Sequence, residues 1–228
     1  TIAGLEWMES VTKRKALKKL SQMVRKLGYP KKWHTYGNVK IDRDDYFGNV
    51  SRTNKHEFRR MIRKLKKEPD WHEWYMTPPT VNAYFNPNMN EIAFPAGIMQ
   101  PPFFDPDADD AVNYGAIGTV IGHEITHGFD DEGRKFDGKG NLVNWWTKKD
   151  AAGFEKKSEV LVKQFNAYVV CDGMRANGKL TLGENIADLG GLVIAFAAFQ
   201  KSQKVKEKKL IDGFTPEQRF FLVHRISE

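Results

Sequence analysis

Cysteine is almost absent. Cys171 is the only one in 228 residues, so no internal disulfide framework holds this chain together. A chain without bridges suits a reducing compartment, and equally a large exported bacterial protein that does without them. Long apolar runs are absent as well. No stretch approaches the roughly 18 uninterrupted apolar residues of a membrane-crossing helix, so no transmembrane segment is expected. A charged leader with a short apolar core is missing from the opening "TIAGLEWMES", which reads as the interior of something longer. Gly (19) and Pro (10) are moderate and aromatics reach 12%, which argues against disorder. With 40% hydrophobic residues the chain can bury a core, as one large domain or two small ones.

The net charge of +7 suggests a nucleic-acid binder until it is divided. Residues 1–74 hold 19 Lys and Arg against 9 Asp and Glu, while residues 75–228 hold 17 against 20. The basic excess is local, lies on helical repeats and comes with no recognition motif. A nucleic-acid module over residues 10–67 is therefore a rival reading, and nucleic acid is not the expected partner. The division expected is a basic helical part, 1–74, and a second part, 75–228.

Apolar residues Leu5, Met8, Val11, Leu17, Leu20, Val24 and Leu27 fall at helical spacing and predict a helix over 5–27, stopped by "GYP". Residues 29–50 lack sustained periodicity. A second basic helix is expected over 54–67, with Phe58, Met61, Ile62 and Leu65 inward. "VNAYF" and "EIAF" read as short strands around the turn-forming "NPNMN". Helices follow over 111–128, over 145–165 and, strongly apolar and buried, over 183–201, separated by the loops "GRKFDGKGN" and "DGMRANGKLT". The fold class is α+β, predominantly helical, with a small β-hairpin or edge-strand region.

On the helix over 111–128, "GHEITHG" sets His123 and His127 one turn apart on one face, the spacing by which two imidazoles hold one zinc ion. Glu124 projects slightly round the helix and can act as general base on a zinc-activated water without being a ligand. A glutamate in so apolar a helix would be costly to bury without such a task. Further on, "TLGENIADLGG" places Glu184 and Asp188 four apart. Glu184 is the candidate third ligand, and Asp188 the acceptor that fixes a ligand histidine's ring and tautomer. The apolar "LGGLVIAFAAF" around them argues against exposure. Asp130, just past the helix end, either orients a histidine or braces the loop, and the bracing reading is favoured. Phe103–Phe104 and Trp145–Trp146 read as core or loop anchors.

Three stretches together carry a resemblance: "VNAYFNPNMNEIAFPAGIMQPPFFD", "GHEITHGFDDEGRKFDGKGNLVNWW" and "LTLGENIADLGG". The chain resembles the neprilysin-like family of zinc endopeptidases, which includes the endothelin-converting enzymes and bacterial endopeptidase O. The likeness runs from "LEWM" to "FFL" near the end. It implies a thermolysin-like zincin core and one catalytic Zn2+ held by His123, His127 and Glu184. Glu124 and Asp188 take the catalytic roles, and Asn82 and Ala83 bond the backbone of a peptide substrate. It implies cleavage of oligopeptides, often before hydrophobic residues.

In that family the catalytic region continues past "FFL" with an oxyanion-stabilising histidine and a substrate-gripping arginine, and a large helical region precedes it. His224 and Arg225 lie too close to "FFL" for those roles and read as the basic end of a helix. The resemblance thus implies a catalytic-region fragment, whose partners are peptide substrates and the remaining N- and C-terminal parts of a parent enzyme. It implies a setting outside the cytoplasm, and the single cysteine favours a bacterial periplasm or cell surface. The alternative is a zinc-binding but inactive interaction protein of the same fold.

Overall fold

A computed structural model describes residues 2–203 and 210–227, with side chains through residue 202 and from 210 to 224. The chain falls into two compact units, Thr1–Tyr29 with Met76–Glu228, and Pro30–Tyr75. The first 29 residues, which charge alone groups with the basic part, thus belong to the larger unit.

The larger unit starts with a short 3₁₀ turn, Ile2–Gly4, and helix α1, Ser10–Gln22. The single helix expected over 5–27 is instead a helix followed by a strand, β1, Val24–Gly28. Met23 turns the backbone into the extended region, and β1 pairs in parallel with Glu91–Pro95. In chain order, Tyr84–Asn86 is β2 and Glu91–Pro95 is β3; these two pair antiparallel, giving the strand order β1-β3-β2. The "NPNMN" turn between them is closed by Asn90, whose φ of 43° is one that asparagine tolerates better than most side chains. The Asn90 amide donates to the carbonyls of Lys19 and Gly138 and so ties the turn to α1. Buried Lys26 and Glu91 pair at 2.6 Å, with the Tyr84 hydroxyl 3.3 Å from Glu91, linking all three strands.

The smaller unit is built on α2, Tyr46–Lys64, which starts eight residues earlier than expected because Asp45 caps it by accepting from the Gly48 N–H. Its expected inward residues face outward: Phe58, Met61, Ile62 and Leu65 are all exposed, and no residue of α2 is buried. The helix has the apolar stripe that periodicity detects, but its own unit supplies nothing to cover it.

The helix expected over 111–128 breaks at Ala116 into α3, Asp110–Gly115, and α4, Ile117–His127. Thr147 caps α5, Lys148–Asn166, leaving Trp145 and Trp146 buried just before it, packed on Trp7 and Phe154. A two-stranded ribbon, β4 (Val169–Cys171) and β5 (Met174–Arg175), leads to α6, Leu182–Gln203. The last helix, α7, Pro216–Ser227, opens with a capping box in which Thr215 and Gln218 bond each other's backbone N–H. Phe220 of α7 and Phe199 of α6 are both fully buried and stack against each other. The fold is α+β and mostly helical, as the sequence implies.

The contact that positions everything else is α4 on α6. A Cβ on Gly122 would lie 2.6 Å from the Gly191 carbonyl oxygen, and one on Gly191 would lie 2.7 Å from the His123 nitrogen. The two backbones touch because neither has a side chain there. By length and composition α6 is apolar enough over Leu182–Ser202 to cross a membrane, which an eye for uninterrupted runs overlooks because Glu184, Asn185 and Asp188 interrupt it. In this fold it packs one face along α4, but only a third of that apolar window is buried and Leu189 and Val193 are exposed, so the expectation of a buried helix holds for one face alone.

Because backbone atoms cannot yield, Gly191→Ala should destabilise the chain by about 1–3 kcal/mol, the usual cost of overpacking. Gly37→Ala, with nothing within 4 Å of the added atom, should leave stability near wild type. Urea midpoints of the two variants check this; equal midpoints would mean the helices are not locked at Gly191.

Candidate metal centre

α4 places His123 and His127 on one face, and the close crossing brings the first two turns of α6 against them. The His123 and His127 Nε2 atoms lie 2.9 Å apart, and each is 3.4 Å from Glu184 Oε2. His123 Nδ1 is 2.7 Å from Asp188 Oδ1, and His127 Nδ1 is 2.7 Å from Asp130 Oδ2.

These distances decide the protonation pattern. Each Nδ1 faces a carboxylate and therefore carries the ring proton as a donor. In a neutral imidazole that leaves the Nε2 lone pair bare. Two bare nitrogens and a carboxylate oxygen then converge with no proton among them, an arrangement that a cation at their centre relieves. Two nitrogens and one oxygen are a donor set zinc accepts, and ligand distances of about 2.0–2.2 Å span a cluster of this size. The His, His, Glu group is geometrically suited to one Zn2+.

Asp130 holds His127 from a braced position. Its Oδ1 accepts from the Glu132 and Gly133 backbone N–H groups at 2.9 and 2.6 Å. Burial opposes charge on His127, but the bond to Asp130 and its negative charge outweigh it and raise the imidazole pKa. Behind this loop lies Lys19 of α1, only 2% exposed, whose Nζ donates to the carbonyls of Gly133 and Phe136, both at 2.7 Å. The rings of Phe85 and Phe129 flank it. Burial depresses its pKa to about 8, against the partial support of Asp130 and Asp137.

Glu124 is buried beside the cluster at 6% exposure. Its pKa is raised, first by burial and further by the charge of Glu184, while His123, His127 and the Phe85 backbone pull it back. The cleft in front has a volume of roughly 470 Å3, with α4 and the start of α6 on one side and Asn82, Ala83 and β2 on the other. Ala83 is buried, and its N–H bonds the Asn82 side chain at 2.8 Å. β2 is the last strand of its sheet, so no strand pairs with its outer edge among the described residues, where the Phe85 backbone meets Glu124. On the far side of Glu124 a more apolar pocket of roughly 240 Å3 opens between Val81, Ile98, Phe103 and Val120, and His224 lines it. The Arg225 side chain lies outside the described residues.

The sequence-derived positions His123, His127, Glu124, Glu184, Asp188, Asn82 and Ala83 thus converge on one cleft and its adjoining pocket. One expectation is corrected. Glu184 and Asp188 are not buried: their side chains are 68% and 59% exposed. The apolar residues around them serve the α4 contact, while the carboxylates point into the open cleft, where water lowers the cost of their charge. Asp130 does both tasks weighed for it, bracing the loop and bonding a histidine. Lys19 gave no signal, because it is one of five lysines and arginines of α1 and only tertiary packing separates it from the others.

Residues 82–225 match the model of peptidase family M13. An endothelin-converting enzyme homolog of Locusta migratoria is 42% identical over 97% of the chain, and human neprilysin 40% identical over 97%. The chain spans about a third of the length of each, 32% and 31%. Among solved structures, the Mycobacterium tuberculosis zinc metalloprotease ZMP1 in complex with inhibitor superposes with a TM-score of 0.94 at 50% identity, over 98% of this chain and 35% of that one. PEPO from Lactobacillus rhamnosis superposes with a TM-score of 0.85 at 32% identity, over 99% and 35%. The fold is the zincin core of these proteins.

Removal of the exposed carboxylate in Asp188→Ala should weaken zinc binding by about 10–100-fold, the usual effect of losing a ligand's hydrogen-bond partner. Thermal unfolding of the metal-free chain should barely change; chelator competition and calorimetry separate the two. Lys19 makes a pH-dependent contribution of definite sign. Its folded pKa of about 8 lies below the ordinary lysine value of about 10.4, so the native state binds fewer protons between these limits and stability rises with pH there. Lys19→Met should be less stable than wild type, with a gap that widens from about pH 8 toward about pH 10. A constant or narrowing gap in urea midpoints would rule out the depressed pKa.

Proposed function

This chain belongs to peptidase family M13, and on that footing we propose that it carries the catalytic centre of a zinc-dependent endopeptidase that hydrolyses peptide bonds of oligopeptides. The observation that carries the proposal is the convergence of two histidine nitrogens and a carboxylate oxygen, with a buried glutamate beside them. His123, His127 and Glu184 would hold Zn2+, which when bound would supply Lewis-acid polarisation of the scissile carbonyl and acidify a water molecule.

The remaining work falls to the chain's own groups. Asp188 and Asp130 keep the Nδ1 protons of His123 and His127 in place, so that both Nε2 lone pairs stay directed into the site. Glu124 takes the proton of the attacking water and later delivers it to the leaving amine. Burial beside the cluster raises its pKa, which gives the carboxylate more basicity for the first half of that exchange. Asn82 and Ala83, at the entry to the edge strand β2, bond the substrate backbone in the manner of an added strand. The apolar pocket beside Glu124 favours a hydrophobic side chain next to the scissile bond. The parent enzyme acts outside the cytoplasm, at a bacterial surface or in the periplasm, and its other segments complete the cleft. Residues 30–75 and the larger unit serve this one activity, the first as a basic helical appendage and the second as the catalytic core.

Glu124→Gln keeps the shape of the side chain and removes its basicity. It should bind zinc with wild-type stoichiometry and lose about 10²–10⁴-fold in cleavage of a quenched oligopeptide, the range for a general acid–base. Wild-type cleavage should vanish with chelator and return with zinc. Full activity in the variant sinks the general-base role. Stoichiometric zinc with no wild-type cleavage, in the full-length parent as well, would support the inactive interaction protein instead.

A further inference from the structure

We propose a second metal site, in the smaller unit, formed by His34, His56 and Glu57 and suited to a divalent transition-metal ion such as Zn2+. One ligand atom from each residue lies within 4.8 Å of the others, the only such cluster among the described residues apart from the centre on α4 and α6. His56 and Glu57 are consecutive on α2, and His34 comes from the segment that precedes it.

Glu57 is the observation that points to a cation. Its Oε2 accepts from Arg60 Nε at 2.9 Å, and the Tyr36 hydroxyl reaches the same carboxylate. Its Oε1 is buried without a hydrogen-bond partner and lies 3.6 Å from His34 Nε2. A buried, bare carboxylate oxygen is costly and calls for a positive charge. The Tyr36 ring packs on both imidazoles, at 4.9 Å from His34 and 5.5 Å from His56, and so restricts both. Two imidazoles and one carboxylate oxygen suit zinc, copper or nickel far better than calcium or magnesium.

The unit also needs what a metal provides. From Pro30 to Tyr75 no residue falls in the buried class, and folds this small commonly rely on a metal or disulfide where a core is lacking. A bound ion would fasten the irregular segment around His34 to α2 across 22 positions of sequence. Arg60, bridged between Glu57 and Glu73, adds positive charge nearby, so this site should be weaker than the centre on α4 and α6.

Zinc titration of the full chain against a chromophoric chelator tests the assignment. The wild type should take up two equivalents and His34→Ala/His56→Ala one, with circular dichroism showing the same helix content. Glu184→Gln should retain the second equivalent, which separates this site from the first. Glu57→Gln should weaken the second equivalent by more than the roughly 10–100-fold that loss of an outer partner costs. Arg60→Gln, which breaks the ion pair but removes no ligand, should leave it bound. A single equivalent in the wild type, a second that survives the double-histidine variant, or one indifferent to Glu57→Gln each overturns the site. Equal losses in Glu57→Gln and Arg60→Gln would assign Glu57 to the ion pair and overturn it too.

Discussion

The contact between Gly122 and Gly191 is the constraint on which the rest of this structure depends. Two helices that each carry a pair of functional groups four residues apart can share one ion only if their backbones nearly touch. Any side chain at the crossing would push α6 outward and carry Glu184 with it. With both positions glycine, the His123 and His127 nitrogens and the Glu184 oxygen come within 3.4 Å of each other, and Asp188 falls in line with His123 Nδ1.

That crossing fixes one histidine's surroundings from α6, but His127 is held from the other direction. Its partner Asp130 sits on a tight turn whose backbone both donates to the aspartate and accepts from Lys19. Gly133 is the hinge of this arrangement: its N–H bonds Asp130, its carbonyl receives Lys19, and an added Cβ would collide with the His127 carbonyl. A buried lysine, an aspartate and a histidine thus form a chain of charge from α1 to the metal ligands. Each is costly to bury alone: Lys19 is satisfied by the Gly133 and Phe136 carbonyls, and Asp130 by the Glu132 and Gly133 N–H groups and His127.

Much of the site was legible because its chemistry is local. A 3.6-residue period puts His123 above His127 and Glu184 above Asp188 whatever surrounds them, and an isolated glutamate in an apolar helix announces a task. The "NPNMN" turn and the strands around it were legible for the same reason. One failure was local, the Asp45 cap that starts α2 at Tyr46, and the others were tertiary. Val24–Gly28 reads as a helix continuation until a parallel neighbour claims its hydrogen bonds. The apolar stripe of α2 reads as a core face, though its unit holds nothing to bury it. Glu184 and Asp188 read as buried from their neighbours, because composition does not say which side of a helix meets water.

From sequence alone came the fold class, the His123, His127 and Glu184 cluster, and the expectation that Glu124, Asn82 and Ala83 belong to the same site, because each rests on residue chemistry at a fixed spacing along one element, or on the resemblance those spacings support. Tertiary structure alone decided which carboxylate meets which imidazole, that Asp130 completes the pair, and that one lysine among many on α1 is buried behind the site. It also decided that His34 stands over His56 and Glu57. Those facts depend on how distant segments approach one another, and no periodicity within a single segment encodes a distance between two.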